Sequence, residues 1–217
     1  MQNDKKQFIF LNISTIPFYI FVKNNKTHLD MQGKLNLIIG PMFSGKSTLL
    51  LSRYRRYKIA GKNCLLIKYA KDDRYETNEA MIVTHDKLSY RAVACLRLGD
   101  LDQYINNFEV ICIDEIQFYP DAAEYCDLWA NRGKIVEASG LSGDFRRKPF
   151  EQISMLVAIA DDIEHVKAVC RESGLDAPFS KRISAEEEQE VIGGEDKYVA
   201  VSRGFFFENN AGNVKII

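Results

Sequence analysis

From Lys34 onward, short apolar runs alternate with amphipathic stretches. The first run, Leu35–Ile39 (LNLII), is bounded by Gly40 and is too short for a buried helix, so it predicts a buried strand. Ser47–Ala60 follows with Leu50, Tyr54 and Tyr57 at helical spacing, Arg53, Arg55, Arg56 and Lys58 on other faces, and Gly61 as a stop. Asn63–Lys68 reads as a second strand. Residues 80–95 read as a hairpin around His85-Asp-Lys87, with His85 as a turn residue or hydrogen-bond donor rather than a base. Val110–Ile113, Lys134–Ser139 and His165–Cys170 are further predicted strands, separated by helices over Pro120–Ala130 and Glu151–Ala160. Tyr198–Phe207 is the last. This alternation implies an α/β fold, a mainly parallel sheet flanked by helices and joined by right-handed crossovers.

Two stretches break the pattern. Phe8–Val22 is strongly apolar, but it is short for a membrane span and is interrupted by Asn12, Ser14 and Pro17. It has no clear signal-cleavage site, and no arginines of the kind a mitochondrial presequence carries. Residues 1–30 are expected to be a dispensable extension, with Met31 as the functional start. The other break, Pro178 to Asp196, is polar and acidic at Glu186-Glu-Glu188; a long irregular stretch in a compact protein is usually functional or disordered. The expected organisation is an extension at 1–30, a main domain at 31–168, a smaller subdomain at 169–208 and a tail at 209–217.

The formal net charge of −1 over 217 residues gives no reason to expect a nucleic-acid partner. Five scattered cysteines, an odd number with no C-x-x-C pair, fit free thiols in a reducing compartment, hence a cytoplasmic location without membrane attachment.

The chemistry concentrates at Gly40-Pro-Met-Phe-Ser-Gly-Lys-Ser47, of the form G-x-x-x-x-G-K-S, between the first strand and the first helix. That context predicts a loop whose N–H groups and helix N-terminus hold nucleotide phosphates. Lys46 would reach the β- and γ-phosphates, and Ser47 would help hold Mg²⁺. Asp114, at the end of Val110-Ile-Cys-Ile113, is the usual partner in holding that ion. Glu115 beside it has no strand-packing reason to be there. Lys71-Asp-Asp-Arg-Tyr75 lies just past a strand's C-terminal end, where ligands of open α/β sheets gather. Gly140–Phe150 combines backbone freedom, aromatics and cations.

Taken together, GPMFSGKST, KYAKDDRY, THD, IDEIQF, GLSGDFRRKPF and SKR…EVIGGEDKY resemble the thymidine kinases of the cellular tetrameric type (type II), over about Lys34–Phe206. The resemblance implies a P-loop NTPase (RecA-like) fold with a small C-terminal lasso subdomain. It implies transfer of the ATP γ-phosphoryl group to the 5′-hydroxyl of thymidine with Mg²⁺, giving dTMP for DNA synthesis, by a homotetramer. Glu115 would be the base, with Arg74 and Lys46 meeting charge on the transferred group. ATP would be held by Gly40, Pro41, Met42, Phe43, Ser44, Gly45, Lys46, Ser47, Thr48, Asp114 and Gln117. Thymidine would meet Met42, Asp72, Phe118 (stacking the base), Leu141, Phe145, Ser180, Val191, Ile192, Gly193, Gly194 and Tyr198.

Two departures stand out. The family's structural zinc is held by two C-x-x-C pairs, which align here with Cys170-Arg-Glu-Ser173 and Ser202-Arg-Gly-Phe205. Hydroxyls and a phenyl ring do not replace thiolates, so no zinc is expected. Phe205, with Phe206 and Phe207, would plug the lasso base, and Ser173 and Ser202 would hydrogen-bond across it. Glu151 stands where the family commonly has glycine. Two other readings remain open at this stage: a RecA-like ATPase whose Glu115 activates water, and a nucleotide-binding regulator that has lost catalysis.

Overall fold

The computed structural model describes residues 33–72, 81–83, 89–186, 188–189 and 193–208. Arg74, Val191, Ile192, the His85 turn, the extension and the tail lie outside them.

The core is a parallel sheet. Strand β1 (Lys34–Gly40) leads into helix α1 (Lys46–Ile59), and β2 is Cys64–Tyr69. β3 (Met81–Val83) and β4 (Ser89–Arg91) form an antiparallel pair, and β5 is Val93–Cys95. After a 3₁₀ run over Leu98–Asn107 come β6 (Val110–Ile113), a 3₁₀ turn over Ile116–Phe118, α2 (Ala122–Asn131), β7 (Ile135–Leu141), α3 (Glu151–Ile159) and β8 (Asp162–His165). The six-stranded order is β5-β2-β6-β7-β1-β8, every pairing parallel.

Alternation along the strands decides which face each residue serves. Leu35 and Leu37 of β1, Ile67 of β2 and Ile111 and Ile113 of β6 join Tyr119, Trp129, Ile153 and Leu156 in the core under α2 and α3. Ile38, Leu66, Val110 and Cys112 point the other way, against Leu50 and Leu51 of α1. Both faces are covered, which is why the strands read as nearly continuous apolar runs. Parallel register also brings the loops after β1, β2, β6 and β7 to one edge. Glu151 opens α3, where a carboxylate complements the positive end of the helix dipole. Among the described residues no helix is long and apolar enough to cross a membrane.

The remaining elements form the smaller unit. β9 (Ala168–Val169) pairs antiparallel with β10 (Asp176–Ala177), and β11 (Phe179–Arg182) pairs antiparallel with β12 (Tyr198–Val201), which is followed by the short helix α4 (Arg203–Glu208).

Three expectations need correction. The strand expected over His165–Cys170 is divided: Asp162–His165 is an exposed edge strand beside β1, while Ala168–Val169 belongs to a separate sheet. The strand expected over Tyr198–Phe207 stops at Val201 and becomes helical. There Phe206 N–H bonds to Ser202 C=O at 3.0 Å, and the turn carries Phe205 to Ala168, Cys170 and Ala177 and Phe206 to Phe179. The hairpin expected over 80–95 ends at Arg91, and Val93–Cys95 joins the main sheet beside β2. Apolar content marked these stretches without revealing the partner each would choose.

Candidate active site

The loop after β1 turns through Phe43 (φ 64°) and Gly45 (φ 80°), and α1 begins at Lys46. Gly40 is required by packing, because a Cβ there would lie 2.4 Å from the Val166 carbonyl oxygen. The buried Lys46 ammonium donates to the Pro41 carbonyl at 2.7 Å, lying back across its own loop. Ser44 Oγ donates to the same carbonyl at 2.8 Å.

Opposite the loop stands the end of β6. Asp114 is buried, and its Oδ1 accepts from Ser47 Oγ at 3.1 Å and from Ser139 Oγ at 2.5 Å. Ser139 was not singled out from the sequence; its signal is a polar side chain two residues after Glu137, on the same face of a strand otherwise built of Ile, Val, Ala, Gly and Leu. Glu115 takes a left-handed conformation (φ 53°), a geometry uncommon for a non-glycine residue and characteristic of functional positions. That bend leads from the strand into the 3₁₀ turn. Gln117 Nε2 donates to Glu115 Oε2 at 2.7 Å, and Gln117 Oε1 accepts the Leu141 N–H at 3.0 Å. Gln117, expected among the ATP contacts, therefore braces Glu115 against β7. The fit depends on Gly140, where a Cβ would meet Gln117 Oε1 at 2.6 Å.

An aromatic wall adjoins this edge. Phe118 is half-buried, with its ring centroid 5.3 Å from Tyr69 and edge-on to Phe150 at 6.2 Å. Leu141 packs beside it against the core. Asp72 lies just past β2, its N–H bonded to the Tyr69 carbonyl and its own carbonyl accepting from Lys68 Nζ at 2.8 Å.

The smaller unit is tied to the loop. Ser180 Oγ, in β11, accepts the Met42 N–H at 2.9 Å. The Arg182 guanidinium sits 3.8 Å over the Phe145 ring and bonds the Tyr198 hydroxyl. Asp144, next to Phe145, accepts the Arg146 and Lys148 N–H groups, and Gln189 Nε2 reaches its other oxygen at 3.2 Å. Gly194 precedes β12 and its carbonyl accepts the Lys197 and Tyr198 N–H groups; Gly193 packs against the Lys197 side chain. Thus Met42, Ser180, Phe145 and Tyr198 fall into one bonded set, and Ser47, Asp114, Glu115, Gln117 and Leu141 into another.

At the base of the smaller unit Cys170 is fully buried, and Ser173 Oγ donates to Ser202 Oγ at 3.4 Å. Burial pushes the Cys170 thiol up, but hydrogen bonds from Ser173 and Ser202 outweigh it and pull the thiol down to about 7. Phe205 packs on Ala168, Cys170 and Ala177, and Phe206 meets Phe179 and Phe207 edge-on. Phe207 stays half-exposed and instead caps Arg147, whose guanidinium lies 4.6 to 5.4 Å from the rings of Phe207, Phe206 and Phe179.

A parallel sheet flanked by helices, with the loop after β1 and the Asp114–Glu115 pair after β6 at one edge, defines an α/β fold consistent with a P-loop-type kinase. A model of the thymidine kinase family matches residues 33–206. Thymidine kinase 1 of Dictyostelium discoideum is 46% identical over 187 residues, covering 85% of this chain and 82% of that protein. The thymidine kinases of Vaccinia virus (strain Western Reserve) and Variola virus are each 46% identical over 177 residues, covering 82% of this chain and 98% of the viral proteins. The chain belongs to the thymidine kinase family.

Proposed function

We propose that this protein is an ATP-dependent thymidine kinase, transferring the γ-phosphoryl group of ATP to the 5′-hydroxyl of thymidine to give dTMP. The observation that carries the reading is Glu115, held by Gln117 in a left-handed bend beside Asp114, which itself is bonded to Ser47 of the phosphate loop. A carboxylate so placed orients a weakly nucleophilic hydroxyl and accepts its proton as the new P–O bond forms. Lys46 exchanges its Pro41 carbonyl for the phosphates, and with Arg74 it offsets charge on the transferred group. The N–H groups of Phe43 to Thr48 cradle the nucleotide. Phe118 stacks the thymine ring beside Leu141 and Phe145, with Asp72 at the mouth. Ser180, the 191–194 segment and Tyr198 close over the nucleoside.

The hydroxyl of Ser47 and the carboxylate of Asp114 are hard oxygen donors that suit Mg²⁺, which supplies charge neutralisation between phosphates when bound. At the lasso base a single thiol beside two hydroxyls and a phenyl ring is a poor donor set for zinc. We read that base as metal-free, held by Phe205 and by Arg147 among its three phenyl rings. A cytoplasmic homotetramer without nucleic-acid or membrane partners completes the proposal. The ties from the phosphate loop and Phe145 to β11 and β12 favour it over a motor ATPase, which has no use for them.

The test is ATP-dependent phosphorylation of thymidine beside deoxycytidine and deoxyguanosine, in the wild type and in Glu115→Gln. Thymidine-selective turnover is expected to fall by roughly 10²- to 10⁴-fold in the variant, the usual contribution of a positioned base. ATP hydrolysis indifferent to thymidine overturns the reading, and so does unchanged turnover in the variant.

A further inference from the structure

Arg182 is the most fully engaged side chain of the smaller unit, and the motif reading gave it no role. It lies at the end of β11 and is only 9% exposed, a degree of burial rare for arginine unless its charge is compensated. Its compensation comes from neutral groups. Nη1 donates to the carbonyls of Glu186 (3.0 Å) and Glu188 (2.5 Å), and Nη2 to the carbonyl of Gln189 (3.4 Å) and the Tyr198 hydroxyl (2.5 Å). Nε reaches the same hydroxyl at 3.2 Å. All five N–H donors of the planar fork are accounted for. One face of the fork stacks on Phe145 at 3.8 Å, and the Tyr198 ring lies 5.1 Å away.

Those partners have something in common. Residues 186, 188 and 189 lie in no helix or strand, so their carbonyls have no ladder to satisfy them. Phe145 belongs to the 141–150 loop, and Tyr198 begins β12. One side chain therefore gathers the irregular segment, the aromatic loop and the returning strand around a single point. Gln189 adds a second tie, to Asp144 beside Phe145. A lysine cannot substitute here, since its point charge neither forks nor stacks.

We propose that Arg182 is a positioning residue that holds the backbone at residues 186, 188 and 189 to Tyr198 and the Phe145 ring and thereby sets thymidine affinity. This rests on the thymidine kinase reading of the site. Arg182 touches neither substrate; it acts through Phe145, Tyr198 and the backbone between them. Its loss raises the thymidine KM while leaving the ATP loop, to which Arg182 makes no hydrogen bond, as it was.

The experiment compares wild type, Arg182→Lys and Arg182→Met in three readouts. The first is the KM for thymidine and for ATP together with kcat. The second is melting temperature, and the third is the rate of limited proteolysis within 183–197, with fragments mapped by mass. Both variants should raise the thymidine KM by about tenfold or more, as expected when several charge-assisted bonds are removed. The ATP KM should stay within about twofold, uniform binding at the nucleotide being untouched. Cleavage within 183–197 should quicken without a matching fall in melting temperature. Millimolar guanidinium should restore part of the thymidine affinity of Arg182→Met but not that of Arg182→Lys, whose ammonium blocks the vacated space.

An unchanged thymidine KM overturns the proposal. It is equally overturned if both KM values rise together as the melting temperature drops, which makes Arg182 a general stabiliser. Should the wild type itself fail to phosphorylate thymidine, the functional reading falls. The proteolysis comparison still decides whether Arg182 holds the backbone at 186, 188 and 189 in place, and unaltered cleavage in both variants refutes that role.

Discussion

Glu137 offers the sharpest test of how helix α1 is fastened to the sheet. It sits in β7 opposite Asn36 of β1, on the α1 face, and is 1% exposed. Its Oε1 accepts from Asn36 Nδ2 and the Tyr57 hydroxyl, both at 2.8 Å, and its Oε2 from Arg53 Nη1 at 2.7 Å. Arg53 reaches on to Glu164 of the edge strand. Burial, reinforced by the bond to Glu137, pushes the Tyr57 hydroxyl well above its ordinary range, so it stays a donor at any physiological pH. Glu137→Leu keeps the volume and removes the acceptor. The Asn36 amide and Tyr57 hydroxyl then lose a partner at about 1 kcal/mol each, and the charged bond to Arg53 costs about 1.5–3 more. The sum agrees with the roughly 3–5 kcal/mol expected when one partner of a buried ion pair is deleted. For a domain of this size that lowers the melting temperature by roughly 6–20 °C. The assay is thermal and urea unfolding followed by circular dichroism. A triple variant, Asn36→Leu with Arg53→Met and Glu137→Leu, should recover most of the loss, because no polar group is then stranded. If Glu137→Leu alone is as stable as wild type, the network adds nothing net and the reasoning fails.

Three further expectations concern the site, its base and its thiols. Gln117→Leu removes the bond to Glu115 and strands the Leu141 N–H; losing a bond to a charged group, worth about 1.5–3 kcal/mol, should lower kcat by roughly 10- to 150-fold. The thymidine KM should barely move, and steady-state kinetics with wild-type kcat would count against the brace. Elemental analysis of purified protein should find no stoichiometric zinc, and a strong chelator should leave the melting temperature unchanged; one zinc per chain contradicts the phenyl-ring clamp. Burial raises the Cys112 and Cys126 thiols and, with the nearby Asp100 charge, takes Cys95 up to about 11 from an unfolded value of 9.0. A raised folded-state value stabilises fully below the unfolded one and is lost as pH climbs through the folded one, so these three thiols should hold stability level up to pH 9 and let it decline toward and beyond 11, after the rise between about 7 and 9 that the lowered Cys170 thiol contributes. Unfolding midpoints that stay level through pH 11 refute that.

Whatever depended on local period or local chemistry was legible in the chain. Leu35, Ile38, Ile111 and Cys112 read as buried strand because both faces of a parallel sheet are apolar, and G-x-x-x-x-G-K-S between strand and helix needs no distant residue to be understood. Glu115 drew attention for a similar reason: a carboxylate at a strand end has no packing role. The details that govern strength and closure were hidden, since each depends on a partner far along the chain. Glu137 inside KIVEASG gives no hint that Asn36, Tyr57 and Arg53 await it. Nothing beside Arg147 or Arg182 in the chain names their partners, because an arginine's value lies in what surrounds its fork and faces, and that surrounding exists only once β11, β12 and α4 have come beside the 141–150 loop. The same argument says what holds the lasso base together on the metal-free reading proposed above. A metal gathers four side chains by coordination, whereas here Arg147 gathers three rings and Arg182 gathers three carbonyls and a hydroxyl by charge and stacking. Two forks of fixed shape, one among Phe179, Phe206 and Phe207 and the other among Phe145, Tyr198 and the carbonyls of 186, 188 and 189, supply on that reading the constraint that a bound metal otherwise would.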